Sequence, residues 1–108
     1  MPSPQLSNYL RSNRKRLVLS QGEVAFLLGR ESSAEVSRHE NFERLPGLEM
    51  ALAYEVMFGR PLSEIFGGLY QKAEREVSKR AQILASRTDG KRDPAKHKML
   101  DQLAAINH

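Results

Sequence analysis

Apolar residues in this chain recur every three or four positions, which is the rhythm of helices. Alternating β-branched runs and Asn-Gly hairpin turns are missing, so strands are not expected. A first helix is predicted from about Leu6 to Leu17, with Leu6, Leu10 and Leu17 near one face. Ser20 followed by Glu23 is a capping-box signature: the hydroxyl accepts an orphan amide while the carboxylate reaches back. It opens a second helix, Gln21 to Leu28, with Val24, Ala25, Leu27 and Leu28 as its apolar set. Gly29 ends it, because glycine accepts the left-handed conformation common past a helix end. After the polar turn Arg30-Glu31-Ser32, Ser32 or Ser33 caps a third helix ending near Glu40. Between Ser32 and Glu40 only Ala34 and Val36 are clearly apolar. A helix so poor in apolar residues gains little from burial, so much of its surface must face water or a polar partner.

Asn41 to Leu45 reads as a loop, and Pro46 is placed in the first turn of a fourth helix. Leu48, Ala51, Leu52, Val56 and Met57 are its expected apolar side, and Gly59 its end. Pro61 begins a fifth helix with Leu62, Ile65 and Phe66, which Gly67-Gly68 breaks or bends. From Leu69 to about Arg87, the residues Leu69, Ala73, Val77, Ala81 and Leu84 step by three or four. Tyr70, Val77 and Leu84 step by seven, a narrow stripe suited to a helix–helix seam. Thr88-Asp89-Gly90 is a turn, and Asp93-Pro94 are N-cap and first position of a last helix bearing Met99, Leu100, Leu103 and Ile106.

At 108 residues the chain has room for one compact domain and an appendage. It has no cysteine, which rules out disulfides and thiolate metal sites. No apolar run approaches the roughly 20 residues of a membrane span. The start, Met-Pro-Ser-Pro, lacks the pattern of a secretory signal. A cytoplasmic protein without membrane partner is expected. The net charge of +4 is uneven. Residues 1–22 carry Arg11, Arg14, Lys15 and Arg16 and no acid; residues 23–70 carry four Arg and eight Glu; residues 71–98 carry nine basic residues and four acids. Basic blocks attract phosphate without reading sequence, although the second block equally describes a solvated helix surface. His39, His97 and His108 have no pairing at helical spacing, so no metal site is expected, and His39 reads as a partly exposed helix residue. Capping explains Ser20, Ser32 and Ser33, and Gly67-Gly68 lacks the Walker lysine. Neither a catalytic activity nor a cofactor is therefore expected.

Two short helices joined by a tight turn, the second polar, describe a helix-turn-helix, whose second helix lies in the major groove and reads base edges. Leu19-Ser20-Gln21, Glu23-Val24-Ala25, Leu27-Leu28-Gly29, Val36-Ser37-Arg38, Glu40-Asn41, Pro46, Leu48-Glu49, Gly59 and Leu62-Ser63-Glu64-Ile65-Phe66 together resemble the Cro/phage-repressor (Xre-type) helix-turn-helix family over about residues 6–66. The resemblance implies an all-α fold with a five-helix lambda-repressor-like DNA-binding domain over 1–68; beyond it, the Leu69–Leu84 stripe makes the C-terminal helical extension over 69–108 a candidate dimerisation element, the alternative being a helix that folds back onto its own domain. The resemblance also implies a dimeric transcriptional repressor on an inverted-repeat operator in double-stranded DNA. Three departures stand out. The segment from Gly29 to Val36 is one residue longer than the family's usual turn; His39 replaces an apolar residue; and Phe42 stands where glycine is usual, which predicts another backbone shape for that loop.

The resemblance places Gln21 at a phosphate, with Ser32, Ser33 and Ala34 at the start of the recognition helix. Ser33 can donate or accept at a base edge, and Ala34 suits a thymine methyl. Ser37 and Arg38 lie one turn on, and Arg38 suits a bidentate pair with guanine, a phosphate contact being its alternative. Arg44 is within reach of backbone phosphate, whereas Asn41 is read as a cap or turn residue. Arg14 and Glu40 match a pair that bridges the first helix to the end of the recognition helix; the plainer reading is an exposed ion pair. Two other functions compete with the repressor. One is an antitoxin-like protein-interaction module whose extension clamps a partner protein, and the other is sequence-neutral DNA binding through the basic blocks.

Overall fold

The described residues, 8–87 and 93–106 of the computed structural model, form seven helices and no strand. These are α1 (Leu10–Arg16), α2 (Gln21–Leu27), α3 (Ala34–Glu40), α4 (Leu48–Phe58), α5 (Leu62–Ile65), α6 (Gly67–Arg87) and α7 (Pro94–Ala104). The protein is thus all-α, and among the described residues no helix is long and apolar enough to cross a membrane. The chain divides into two compact units between Tyr70 and Gln71.

In the first unit α1, α2 and α3 end in one shared motif. The residue past the C-cap turns left-handed and its amide bonds back three residues, while the next amide reaches five residues back. Val18 does this after α1 (φ 59°), Gly29 after α2 (φ 77°) and Phe42 after α3 (φ 64°). The long-reach bonds are Leu19 N to Arg14 O at 3.0 Å, Arg30 N to Ala25 O at 2.8 Å and Glu43 N to Arg38 O at 2.9 Å. Phe42 therefore adopts the conformation glycine would take, and the expectation of a different loop shape is overturned: both carbonyl bonds of the motif hold the backbone there against the side chain's preference.

The Ser20–Glu23 capping box forms, with Ser20 Oγ accepting from Glu23 N at 3.0 Å and Glu23 Oε1 accepting from Ser20 N at 2.8 Å. At α3, Ser33 occupies the cap position, but the hydroxyl of Ser32 accepts from Ala34 N at 3.0 Å. The core joins Leu10, Val24, Ala25, Val36, Tyr54, Phe58, Ile65 and Phe66, with Leu19, Leu28, Met50, Ala51, Met57, Leu62 and Leu69 packed around it.

Several expected boundaries and faces shift. The first helix begins at Leu10, and Leu17 and Leu27 are exposed; Leu6 lies outside the described residues. Pro46 precedes the cap of α4, which is Gly47, and Pro61 is the cap of α5. In α4 the buried residues are Tyr54 and Phe58, whereas Leu48, Leu52 and Val56 face water. Nearly every residue of this helix is apolar, so periodicity could not choose a side. Gly67 and Gly68 do not interrupt a helix but begin α6; the break falls at Phe66, where the backbone leaves helical geometry.

In the second unit, Ser78 and Ala81 of α6 and Leu100 of α7 are buried. Ser78 Oγ donates to Ile106 O at 3.0 Å, and Gln82 Nε2 to Ala104 O at 3.3 Å, which satisfies carbonyls at the end of α7. Pro94 is the first residue of α7, as its fixed φ favours. Val77 and Leu84 remain about half exposed. The turn expected at Thr88-Asp89-Gly90 lies outside the described residues.

Candidate functional site

α3 has two unlike faces. Val36, His39 and Glu40 point inward and are at most 5% exposed, although two of the three are polar. The other side carries Ala34, Ser37, Arg38 and Asn41, spaced by three and four, with no large apolar residue. Ala34, Arg38 and Asn41 are exposed and Ser37 is partly so.

The inward face is held by a clamp on the Glu40 carboxylate. Arg14 donates Nε to Oε2 at 2.6 Å and Nη2 to Oε1 at 3.2 Å, a two-point pair. Arg14 Nη1 also donates to the carbonyl of Leu19 at 2.9 Å, tying the clamp to the segment between α1 and α2. Gln21 Nε2 donates to Oε1 at 3.1 Å, and Arg11 Nε approaches the same oxygen at 3.4 Å. The Glu40 side chain is 1% exposed and that of Arg14 12%, so the pair is a buried one. Burial pushes the Glu40 carboxyl up, but hydrogen bonds from Arg14 and Gln21, the Arg14 charge and the Arg11 hydrogen bond outweigh it and hold the group below its usual range. The hydrogen bond to Glu40 in turn raises Arg14, against its own partial burial.

His39 is buried, contrary to the expectation of partial exposure, because the ring turns into the core beside Tyr54. Its Nδ1 lies 2.9 Å from the Tyr54 hydroxyl, and the two rings meet edge to face at 5.8 Å. The buried Nε2 has no hydrogen-bond partner. Burial lowers the His39 pKa, opposed by Glu35 and reinforced by Arg44 and Arg30. Burial likewise pushes the Tyr54 phenol up, helped by Glu40 and Glu35. A neutral imidazole is therefore built into the back of α3.

The residues singled out in the sequence separate into two groups. Arg14, Glu40 and Gln21 converge on the clamp, so one N–H of the Gln21 side-chain amide is committed to Glu40. The Ser32 hydroxyl accepts from the Ala34 amide, which uses one of its lone pairs. Ser33, Ala34, Ser37 and Arg38 lie on or beside the outward side of α3, and Arg44 is exposed in the loop after it. Glu35, the acid nearest this face on α3 itself, is paired with Arg30 at 3.1 Å, which masks its charge.

Arg11 was not singled out, although its place three residues before Arg14 puts both on one side of α1 and could have revealed it. Its Nη2 donates to Asn41 Oδ1 at 2.8 Å. The first unit also has an open apolar hollow of about 240 Å³ between Leu45, Pro46, Ala51, Leu62, Phe66, Leu69 and Tyr70, where only the tyrosine side chain offers a polar atom. Among the described residues no three histidine or acidic side chains gather as a metal site. No protein-family model matches the chain, nor does any curated protein or any solved structure.

Proposed function

We propose that this protein is a sequence-specific DNA-binding transcriptional regulator of the Xre type, with α1–α5 as its DNA-binding domain and α3 as its recognition helix. What carries the reading is the outward side of α3: small and polar side chains plus Arg38, an exposed arginine with no ion pair among the described residues, on a helix anchored from behind by a buried carboxylate. Small residues let a helix approach base edges closely, and a rigid back keeps the readers in register. Arg38 makes the bidentate contact to guanine, Ser37 and Ser33 contact neighbouring base edges, and Ala34 packs on a thymine methyl. Arg44 and the backbone of Gln21 contact phosphate. The protein represses as a dimer on an inverted repeat, with the half-exposed Val77 and Leu84 of α6 in the seam. The same two residues favour a second reading, in which the extension binds a different protein.

Selection of sites from a random duplex pool at near-physiological salt tests all of this with three proteins. The unaltered chain is expected to enrich an inverted repeat. Arg38→Ala is expected to relax one guanine in each half-site, and Val77→Asp to retain the half-site but lose the repeat. Enrichment of no motif would sink the regulator reading. A repeat untouched by Val77→Asp would remove α6 from the seam.

A further inference from the structure

On the solvent side of α3 a chain of hydrogen bonds has a fixed direction. Arg11 anchors on Glu40, Nε to Oε1 at 3.4 Å, and sends Nη2 to the Asn41 side chain at 2.8 Å. A guanidinium has donors only, so the Asn41 atom it meets is the carbonyl oxygen and the other amide atom is the NH2. That NH2 donates to Ser37 Oγ at 3.3 Å, one helical turn back. Among the described residues the Ser37 hydroxyl has no other hydrogen bond.

A serine hydroxyl by itself has no preferred sense: it donates one proton and accepts at two lone pairs. Here one lone pair is engaged by Asn41, which turns the hydroxyl proton away from that amide and leaves it for a partner outside the protein. Each link strengthens the next: an amide that accepts from a cation is a better donor, and a hydroxyl that accepts from that amide is a better donor too. We propose that Arg11 and Asn41 are positioning residues that set Ser37 as a donor, so that it selects a base by its acceptors. In the major groove guanine offers N7 and O6, adenine N7 and thymine O4, whereas cytosine presents the N4 donor. Cytosine, whose N4 donor would have to use the remaining lone pair, is the base such a serine disfavours.

The inference rests on the DNA-reading role proposed for α3, and its test separates the two. Site selection is carried out with the full chain and with Ser37→Ala, Asn41→Ala and Asn41→Asp, each checked for helical content and unfolding midpoint. The unaltered chain is expected to deplete cytosine roughly three- to tenfold at one position per half-site, the discrimination of a single hydrogen bond. Ser37→Ala identifies that position by abolishing the depletion there. Asn41→Ala frees the hydroxyl to act in either sense and removes the depletion without changing the rest of the site. Asn41→Asp keeps the bond to Arg11 but can only accept from Ser37, turning the serine lone pairs outward. Cytosine is then favoured at that position even if overall affinity falls with the added charge. A depletion that survives both Asn41 variants overturns the proposal while leaving DNA reading intact. So does a site indifferent to Ser37→Ala. Absence of any enriched site from the unaltered chain overturns both.

Discussion

α3 and α4 are opposites in how they meet water. α3 has few apolar residues yet buries a complete face made of Val36, His39 and Glu40. α4 is apolar almost all round yet leaves Leu48, Leu52 and Val56 in solvent. The ends differ as well: α4 closes on Gly59 at φ 65°, while α3 closes on Phe42 at φ 64°, one conformation reached without cost in the first case and against steric preference in the second. The contrast shows that partners, more than hydrophobicity, decide which side of a helix turns inward. Glu40 goes inside because Arg14, Gln21 and Arg11 receive it, and His39 because the Tyr54 hydroxyl does. The polar interior of α3 frees its outer side from packing duties.

Removing the partner is the strongest way to break this contrast. Glu40→Ala leaves a mostly buried Arg14 without its carboxylate and is expected to cost about 3–5 kcal/mol in urea unfolding of the full chain. A loss below about 1 kcal/mol would class the clamp with ordinary surface pairs.

Next in size is the imidazole. His39→Leu strands the buried Tyr54 hydroxyl and is expected to cost about 1–3 kcal/mol, while adding Tyr54→Phe returns most of it, because both polar partners are then gone. Lack of recovery in the double variant would mean that packing, and not the hydrogen bond, sets the cost. Acidity probes the same group. His39 is held below its usual 6.5, so the unfolded chain takes up its proton first. Stability is therefore complete above about that pH and falls as the pH drops below it. A second loss follows below the usual 4.5 of Glu40, whose folded carboxyl is also held low. The His39→Leu/Tyr54→Phe protein should lose the upper step and keep the lower one.

The smallest effect sharpens the comparison of helix ends. Phe42→Gly relieves a left-handed non-glycine residue and is expected to stabilise by up to about 1 kcal/mol in thermal unfolding. A drop in the midpoint would show that the half-exposed Phe42 ring contributes more by contact than its backbone costs.

Local signals in the sequence were reliable at some helix ends and misplaced at others, as with Pro46, Pro61 and Gly67-Gly68. Ser20 with Glu23, Gly29 and Pro94 mark helix ends by backbone chemistry alone, and the structure has them there. The buried side of α4 was not legible, since Leu48, Ala51, Leu52, Tyr54, Val56 and Phe58 are equal candidates until neighbouring helices choose. The burial of His39 was hidden for a related reason: its partner Tyr54 lies 15 residues away, on another helix. Phe42 misled because steric preference argues against a left-handed phenylalanine, while the helix end offers two hydrogen bonds that require it. On the candidate site, Arg14 with Glu40 came from the family resemblance, whereas the commitment of Gln21 to that carboxylate depends on three helices meeting and has no signature in the order of residues.

The shared carboxylate also bears on how the protein opens. Glu40 closes α3 while its donors come from α1 and from the first residue of α2. Detaching α1 or α3 leaves a charge unmatched in the interior, and detaching α2 takes one donor from the buried carboxylate. They should therefore exchange their amide hydrogens through one common opening, with α3, the helix least able to hold itself by burial, as slow to exchange as its neighbours.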